Sequence, residues 1–343
     1  MNQTTTVKLN APYLIFLGDV NDLMSAKTGA GLVQWCPEKV VGQLRTQPDS
    51  VDLGVTDMTI EQAAAAGARS LVIGVALVGG EINQQWTDII NLAAASGLDI
   101  VSGLHTSLHD VPGLEETASS SGVRLIDVRR APEILPVGTG KKRSGNRVLM
   151  VGTDCAVGKK YTALALTQSL KDAGIKATFR ATGQTGMMIA GEGIPIDSVK
   201  SDFISGAAET ISPGNDTGHW DVIEGQGSLF NPSYAGVSLG LLHGSQPDAI
   251  VVCHDAVRAT VSSCPEYELP SINDCIELHL RCARLTNPAA VCIGVSVNTS
   301  GLPANKRNPY LDNLSKQTGL VCVDPLVDGC EAFVSSLMAL NQV

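Results

Sequence analysis

The chain has 343 residues, a formal net charge of −10 and 44% hydrophobic residues. That length suits two domains of ordinary size and that apolar content fills two cores, while the acidic balance excludes nucleic acid and anionic membranes as general partners. No apolar run is long enough to cross a bilayer and the start, MNQTTTVKLNAP, lacks the charge and apolar stretch of a signal peptide, so a cytoplasmic protein is expected.

From Tyr13 to Val128 the pattern alternates strand and helix. YLIFLGDV reads as a buried strand ending in a Gly-Asp turn, TIEQAAAAGA as a helix closed by Gly67, and SLVIGVALVGG as a second buried strand. WTDIINLAAASG, LDIVSGL and a last helix and strand ending at LIDV continue it. Such alternation predicts an α/β fold with a parallel sheet covered on both faces, whose ligands lie beyond the carboxyl ends of the strands: Gly18 and Asp19, Gly79 and Gly80, and Gly103 to His105. No GxGxxG follows the first strand, so a dinucleotide site in this half has little support. The carboxylates Glu61, Glu115 and Glu116 fall on solvated helix faces.

APEILPVGTGKKRSGN, from Ala131 to Asn146, is rich in Pro, Gly and charge. It divides the chain into an expected N-terminal domain (1–135), a linker (136–146) and a second α/β domain (147–343). Lys141, Lys142, Arg143 and Arg147 form a basic patch there, read either as solvated linker or as local charge for phosphate. The second domain opens with VLMVGTDCAVGKKYTALA, in which four apolar residues give a buried strand, Gly152 to Gly158 a glycine-bounded loop, and Tyr161 onward a helix running to Gly174. A loop of this kind aims successive backbone N–H groups and a helix N-terminus at an anion, and Lys159 adds a point charge. Gly152, Thr153, Asp154, Gly158, Lys159, Lys160, Tyr161 and Thr162 are therefore the expected polyphosphate site. The residue after the loop lysine is ordinarily Ser or Thr, whose hydroxyl helps hold Mg²⁺. Here it is Lys160, with Tyr161 and Thr162 the nearest hydroxyls, and no metal is expected.

Strands follow at KATFRATGQTG, WDVIEGQGS, PDAIVVCHD, AAVCIGVSVNTS and GLVCVDPL, predicting a second parallel sheet. Asp221 and Glu224 bracket one strand end, where Glu224 suits a metal ligand, a general base or a carboxylate capping a turn. Arg180 offers a fork matched to an anionic substrate, with Thr182, Gln184 and Thr185 as neutral donors, or else makes a structural ion pair. Asn298 follows a late strand, where its amide reads a base edge or simply closes a turn. His105, His243 and His254 stand beside strand ends or glycines and suit either proton transfer or structure. Cys155, inside the loop, is read first as a packing thiol. The nine cysteines are scattered without a CxxC pair, as reduced thiols are.

GDVNDLMSAKTGAGLVQWCPEKVVGQLR, GTDCAVGKKYTALAL, FRATGQTGMMIAG, WDVIEGQGSLFNPSYAGVSLGLLHGSQPDAIVVCHD and RLTNPAAVCIGVSVNTS resemble the D-glutamate N-acetyltransferase DgcN family, over nearly the whole chain. The resemblance implies a Rossmann-like N-terminal domain, a P-loop C-terminal domain, and acetyl transfer from acetyl-CoA to the amino group of D-glutamate, with an N-acetyl-D-glutamate racemase as pathway partner. On that reading Glu224 is the base or positions it, with Asp221 beside it. Loop N–H groups or Gln226 serve as oxyanion donors, Arg180, Thr182 and Gln184 bind substrate, and a homo-oligomer is the expected assembly. A shorter resemblance runs to dethiobiotin synthetase, in the GTDxxxGK loop, the EGxG strand end and the late strand ending in Asn298. It implies the alternative of an ATP-dependent ligase or kinase, with Lys159 on phosphate, Glu224 at a metal and Asn298 facing adenine. Lys160 departs from that pattern.

Overall fold

Tyr13–Gly18 is buried at all six residues and sits inside a five-stranded sheet, as an apolar run covered on both faces must. The computed structural model describes residues 4–76 and 82–340 and separates them into two units, an N-terminal unit of residues 5–130 and 184–195 and a P-loop unit made mainly of 131–183 and 196–340. In the N-terminal unit the strand order is Val40–Arg45, Tyr13–Gly18, Ser70–Ile73, Asp99–Ser102 and Leu125–Asp127, all parallel. Helices Lys27–Trp35, Ile60–Ala65, Gln84–Ala95 and Leu114–Ser121 make the connections. Local chemistry fixes their starts. Thr59 accepts from the Gln62 N–H while Gln62 returns a bond to the Thr59 N–H, a reciprocal cap, and Asn83 accepts from the Trp86 N–H at 2.9 Å. Trp86 is buried edge-on to Phe16, with its indole N–H donating to Asp19.

Three elements differ from the sequence reading. Val40–Arg45 is a strand the pattern did not announce, because its two most buried residues are Gly42 and Gln43. Among the described residues of the expected strand SLVIGVALVGG, Ser70–Ile73 pairs in the sheet; its residues 77–80, Gly79 and Gly80 among them, lie outside the described residues. KATFRATGQTG is not one strand: pairing stops at Arg180, and Gln184–Ala190 forms a helix that buries Met187 and Met188. That helix belongs to the N-terminal unit, where Thr185 and Gln184 bond Thr28, and the following Glu192–Gly193 pairs antiparallel with Thr5–Thr6.

The P-loop unit holds a six-stranded parallel sheet in the order Val321–Val323, Val291–Asn298, Ala249–Asp255, Asn146–Gly152, Trp220–Ile223 and Ala177–Arg180. Its core runs through Val148, Met150, Leu166, Trp220, Val251 and Phe333. The tract expected as a linker is bound into this unit. Thr139 and Gly140 donate backbone N–H bonds to Glu209, and the Arg143 guanidinium donates to the carbonyls of Ser212, Gly244 and Ser245. Arg147 is buried and donates to the carbonyls of Arg143, Ser144 and Gly145. These two arginines therefore hold backbone and are not available to phosphate, and burial beside Arg147 lowers Arg143 to about 10. Among the described residues no helix is long and apolar enough to cross a membrane.

Candidate functional site

The central strand Asn146–Gly152 delivers the chain into the loop, and the helix Lys159–Asp172 leaves it. Gly152 has no room for a side chain, since a Cβ would stand 2.9 Å from Val157 and 3.1 Å from the Cys253 carbonyl. Within the loop Ala156 has φ +52 and Gly158 φ +104, so left-handed residues interrupt the turn and gather backbone N–H groups into a concave, anion-binding shape at a helix N-terminus. Thr153 donates its N–H to the Cys253 carbonyl and its hydroxyl pairs with His254 Nδ1 at 3.1 Å. Asp154 is fully buried and accepts from Asn231, Arg258 and the Ser262 N–H.

Lys159 is also buried, with its ammonium donating to the Asp154 carbonyl at 2.7 Å. Burial lowers its pKa, and an anion in the loop would favour the charged form. The Thr162 hydroxyl is turned to the Gly158 carbonyl and Ser296. Lys160 lies over the Tyr161 ring at 4.5 Å, a cation–π contact that directs the ammonium. The structure gathers these residues along one loop and the helix that follows it.

Glu224 follows directly on the strand Trp220–Ile223, next to the loop strand. Its Oε2 accepts the N–H groups of Thr182 and Gly183 at 2.9 and 3.1 Å. The Thr182 hydroxyl donates to the Glu224 carbonyl and accepts from the Gln226 amide. Burial pushes the carboxyl up to about 7, against the opposing pull of those N–H groups and of Lys160. A carboxyl so placed exchanges a proton at neutral pH. Gly225 lets this strand end approach the loop: a Cβ there would stand 1.6 Å from the Met150 carbonyl and 2.9 Å from the Lys159 side chain.

Other expected residues have different employment. Arg180 Nε donates to Asp221 Oδ1 at 2.7 Å, and Asp221 also accepts from Asn215 and lies 3.5 Å from His219. This ion pair favours the structural alternative for the two residues: Asp221 is 1% exposed, near the start of its strand and not at its carboxyl end. Gln184 belongs to the N-terminal unit. Asn298 donates to Asp255 and accepts from the Ser300 N–H, bonds that favour the turn reading. His254 joins Thr153 to the Tyr310 hydroxyl, and burial lowers its pKa.

Sequence reasoning missed Asn231, Arg258 and Ser262. Each is a single polar residue in a connecting segment, and a lone residue carries no periodic signal. The only available hint was position, since Arg258 follows closely on a strand that ends beside the loop.

A Rossmann-like sheet and a P-loop sheet, the second carrying a buried loop lysine and a neutral-range glutamate at its rim, define a two-domain P-loop protein. The chain belongs to the DUF1611 family: residues 136–334 match the model described as a domain of unknown function (DUF1611_C) P-loop domain, and residues 39–131 match its companion DUF1611_N Rossmann-like domain. A protein of Tritonibacter scottomollicae named D-glutamate N-acetyltransferase is 45% identical over 332 residues, covering 97% of this chain and 100% of the relative. One of the same name from a Pseudoalteromonas species is 44% identical over 331 residues, covering 96% and 100%. The crystal structure of a DUF1611 family protein from Anabaena variabilis matches with a TM-score of 0.86 at 29% identity, over 97% of this chain and 99% of that one.

Proposed function

We propose that the chain is a D-glutamate N-acetyltransferase that takes its acetyl group from acetyl-CoA. The observation that carries the activity is the 45% identity across 97% of the chain with a relative of that name. The donor is supported by the fit of the loop to a polyphosphate: concave N–H groups around Ala156 and Gly158, a helix N-terminus, and two successive lysines whose extra charge suits the extra phosphate of CoA. Bound there, acetyl-CoA supplies an acyl group activated as a thioester.

The chain's own residues supply the rest. An amino acid is mostly protonated at neutral pH, so Glu224 removes one proton from the substrate ammonium and frees the lone pair that attacks the acyl carbon. Collapse of the tetrahedral adduct breaks the C–S bond, and the departing thiolate takes the second amine proton and leaves as free thiol. The two N–H bonds on its Oε2 hold the carboxylate in place after each turnover. A carboxyl near 7 is basic enough to take the proton and acidic enough to release it to water. Gln226 spends one amide hydrogen on Thr182, which leaves its second to serve the developing oxyanion. The enzyme is a cytoplasmic homo-oligomer whose product is consumed by a racemase acting on N-acetyl-D-glutamate.

Release of free CoA thiol with D-glutamate as acceptor tests this. Thiol and N-acetyl-D-glutamate in equal amounts are expected. No thiol release, with ADP formed from ATP and a small acid, overturns the acyltransfer reading in favour of ligation.

A further inference from the structure

Arg258 stands at the start of a segment no sequence pattern marked, just after the strand Ala249–Asp255 and before an antiparallel hairpin of Thr260–Val261 with Cys264–Glu268. Its side chain is 14% exposed. Nη1 donates to the Cys155 carbonyl at 2.6 Å and to Asp154 Oδ2 at 3.1 Å, and Nη2 donates to the Ala156 carbonyl at 3.3 Å. The two carbonyls belong to the peptide units on either side of Ala156, the loop residue with φ +52. In a trans peptide the C=O and the N–H of the same unit point in opposite directions. Drawing the carbonyls of Cys155 and Ala156 toward the guanidinium therefore turns the N–H groups of Ala156 and Val157 the other way.

We propose that Arg258 is a positioning residue that presets the phosphate loop, by clamping both peptides around Ala156 so that their N–H groups converge on the anion before it arrives. Asp154 fixes the clamp. It is buried, and Asn231 and the hairpin's Ser262 N–H hold its carboxylate, at 2.9 and 2.6 Å, while the guanidinium takes the remaining acceptor position. A lysine could not replace Arg258, because one ammonium has no planar fork to bracket two successive carbonyls. Without the clamp an alanine relaxes from the left-handed region, since its Cβ disfavours that conformation. The inference concerns the anion site itself, and its link to acetyl transfer rests on the donor reading above.

Calorimetric titration with pyrophosphate and with CoA separates the two ideas. For Arg258→Gln and for Arg258→Lys we expect the pyrophosphate Kd to rise at least tenfold. Asp154→Asn should have a similar effect, and the Asp154→Asn, Arg258→Gln double variant should be little worse than either alone, as expected for residues acting as one unit. Ala156→Gly in the Arg258→Gln background should recover part of the loss, because glycine enters the left-handed region without the Cβ clash; neither a lost bulk charge nor general unfolding would be repaired that way. In turnover the KM for acetyl-CoA rises while the KM for D-glutamate and kcat hold. A Lys variant that binds pyrophosphate like the wild type, or a wild type that does not bind it, overturns the clamp. Wild-type binding of pyrophosphate but not CoA, with the variants weakened, supports the clamp and sinks the donor reading.

Discussion

Replacing Glu224 by Gln should slow the enzyme and, at alkaline pH, stabilise it. The carboxyl moves from 4.5 in the unfolded chain to about 7 in the folded one, and at about 1.4 kcal/mol per pH unit that is about 3 kcal/mol of folding free energy. Below 4.5 both states are protonated and nothing is lost. Between 4.5 and about 7 the unfolded chain ionises first and binds fewer protons than the folded one, so stability falls as pH rises; above that range the loss is complete. Gln keeps an oxygen for the N–H groups of Thr182 and Gly183 and carries no charge to bury. Thermal unfolding should therefore place Glu224→Gln several degrees above the wild type at pH 8 and close to it at pH 4.5 or below. The same variant should lose about 10²- to 10⁴-fold in kcat, and the rise of wild-type kcat/KM through pH 7 should flatten. An equal Tm difference at the two pH values would refute burial as the cause of the shift, and undiminished turnover would remove Glu224 from proton transfer.

Lys159→Ala removes a charge-assisted phosphate contact worth about 1.5 to 3 kcal/mol, so calorimetry should show acetyl-CoA bound roughly 10- to 150-fold more weakly. Excess chelator should leave CoA-thiol release intact, because the ammonium of Lys160 cannot ligate a cation; activity lost with chelator and recovered with Mg²⁺ would contradict this. Arg180→Met removes the ion-pair partner of Asp221, which is 1% exposed and keeps its bond from Asn215, and should lower the urea midpoint by an amount equivalent to about 1 to 3 kcal/mol, while the KM for D-glutamate of the folded fraction stays put. A large rise in that KM instead would return Arg180 to the substrate.

The loop and its flanking strand and helix were legible because every local signal agrees there: an apolar run, bounding glycines, a lysine, and helical spacing to Gly174. Glu224 was legible by position, at a strand end followed by glycines. Arg180 and Asp221 were not separable from functional residues, since a sequence shows charges but not that a buried aspartate stands 2.7 Å from a guanidinium. The strand Val40–Arg45 escaped because a buried Gln43 reads as surface; its amide is satisfied by Asp52 and the Leu53 N–H, partners that only the folded chain supplies. The departure of Gln184–Pro195 from the P-loop unit left no mark at all, since its helix is apolar enough for either core.

That excursion has a consequence for how the chain is made. A ribosome releases residues in order, and a leading domain ordinarily folds while the rest is still being translated. Here the helix Gln184–Ala190, whose Gln184 and Thr185 bond Thr28, and the partner strand of Thr5–Thr6 reach the N-terminal unit only after the loop strand and helix of the other unit have emerged. The two halves are thus interlocked in time: the first to be synthesised is not the first that can be finished, and a fragment cut at the tract 131–146 carries an incomplete fold.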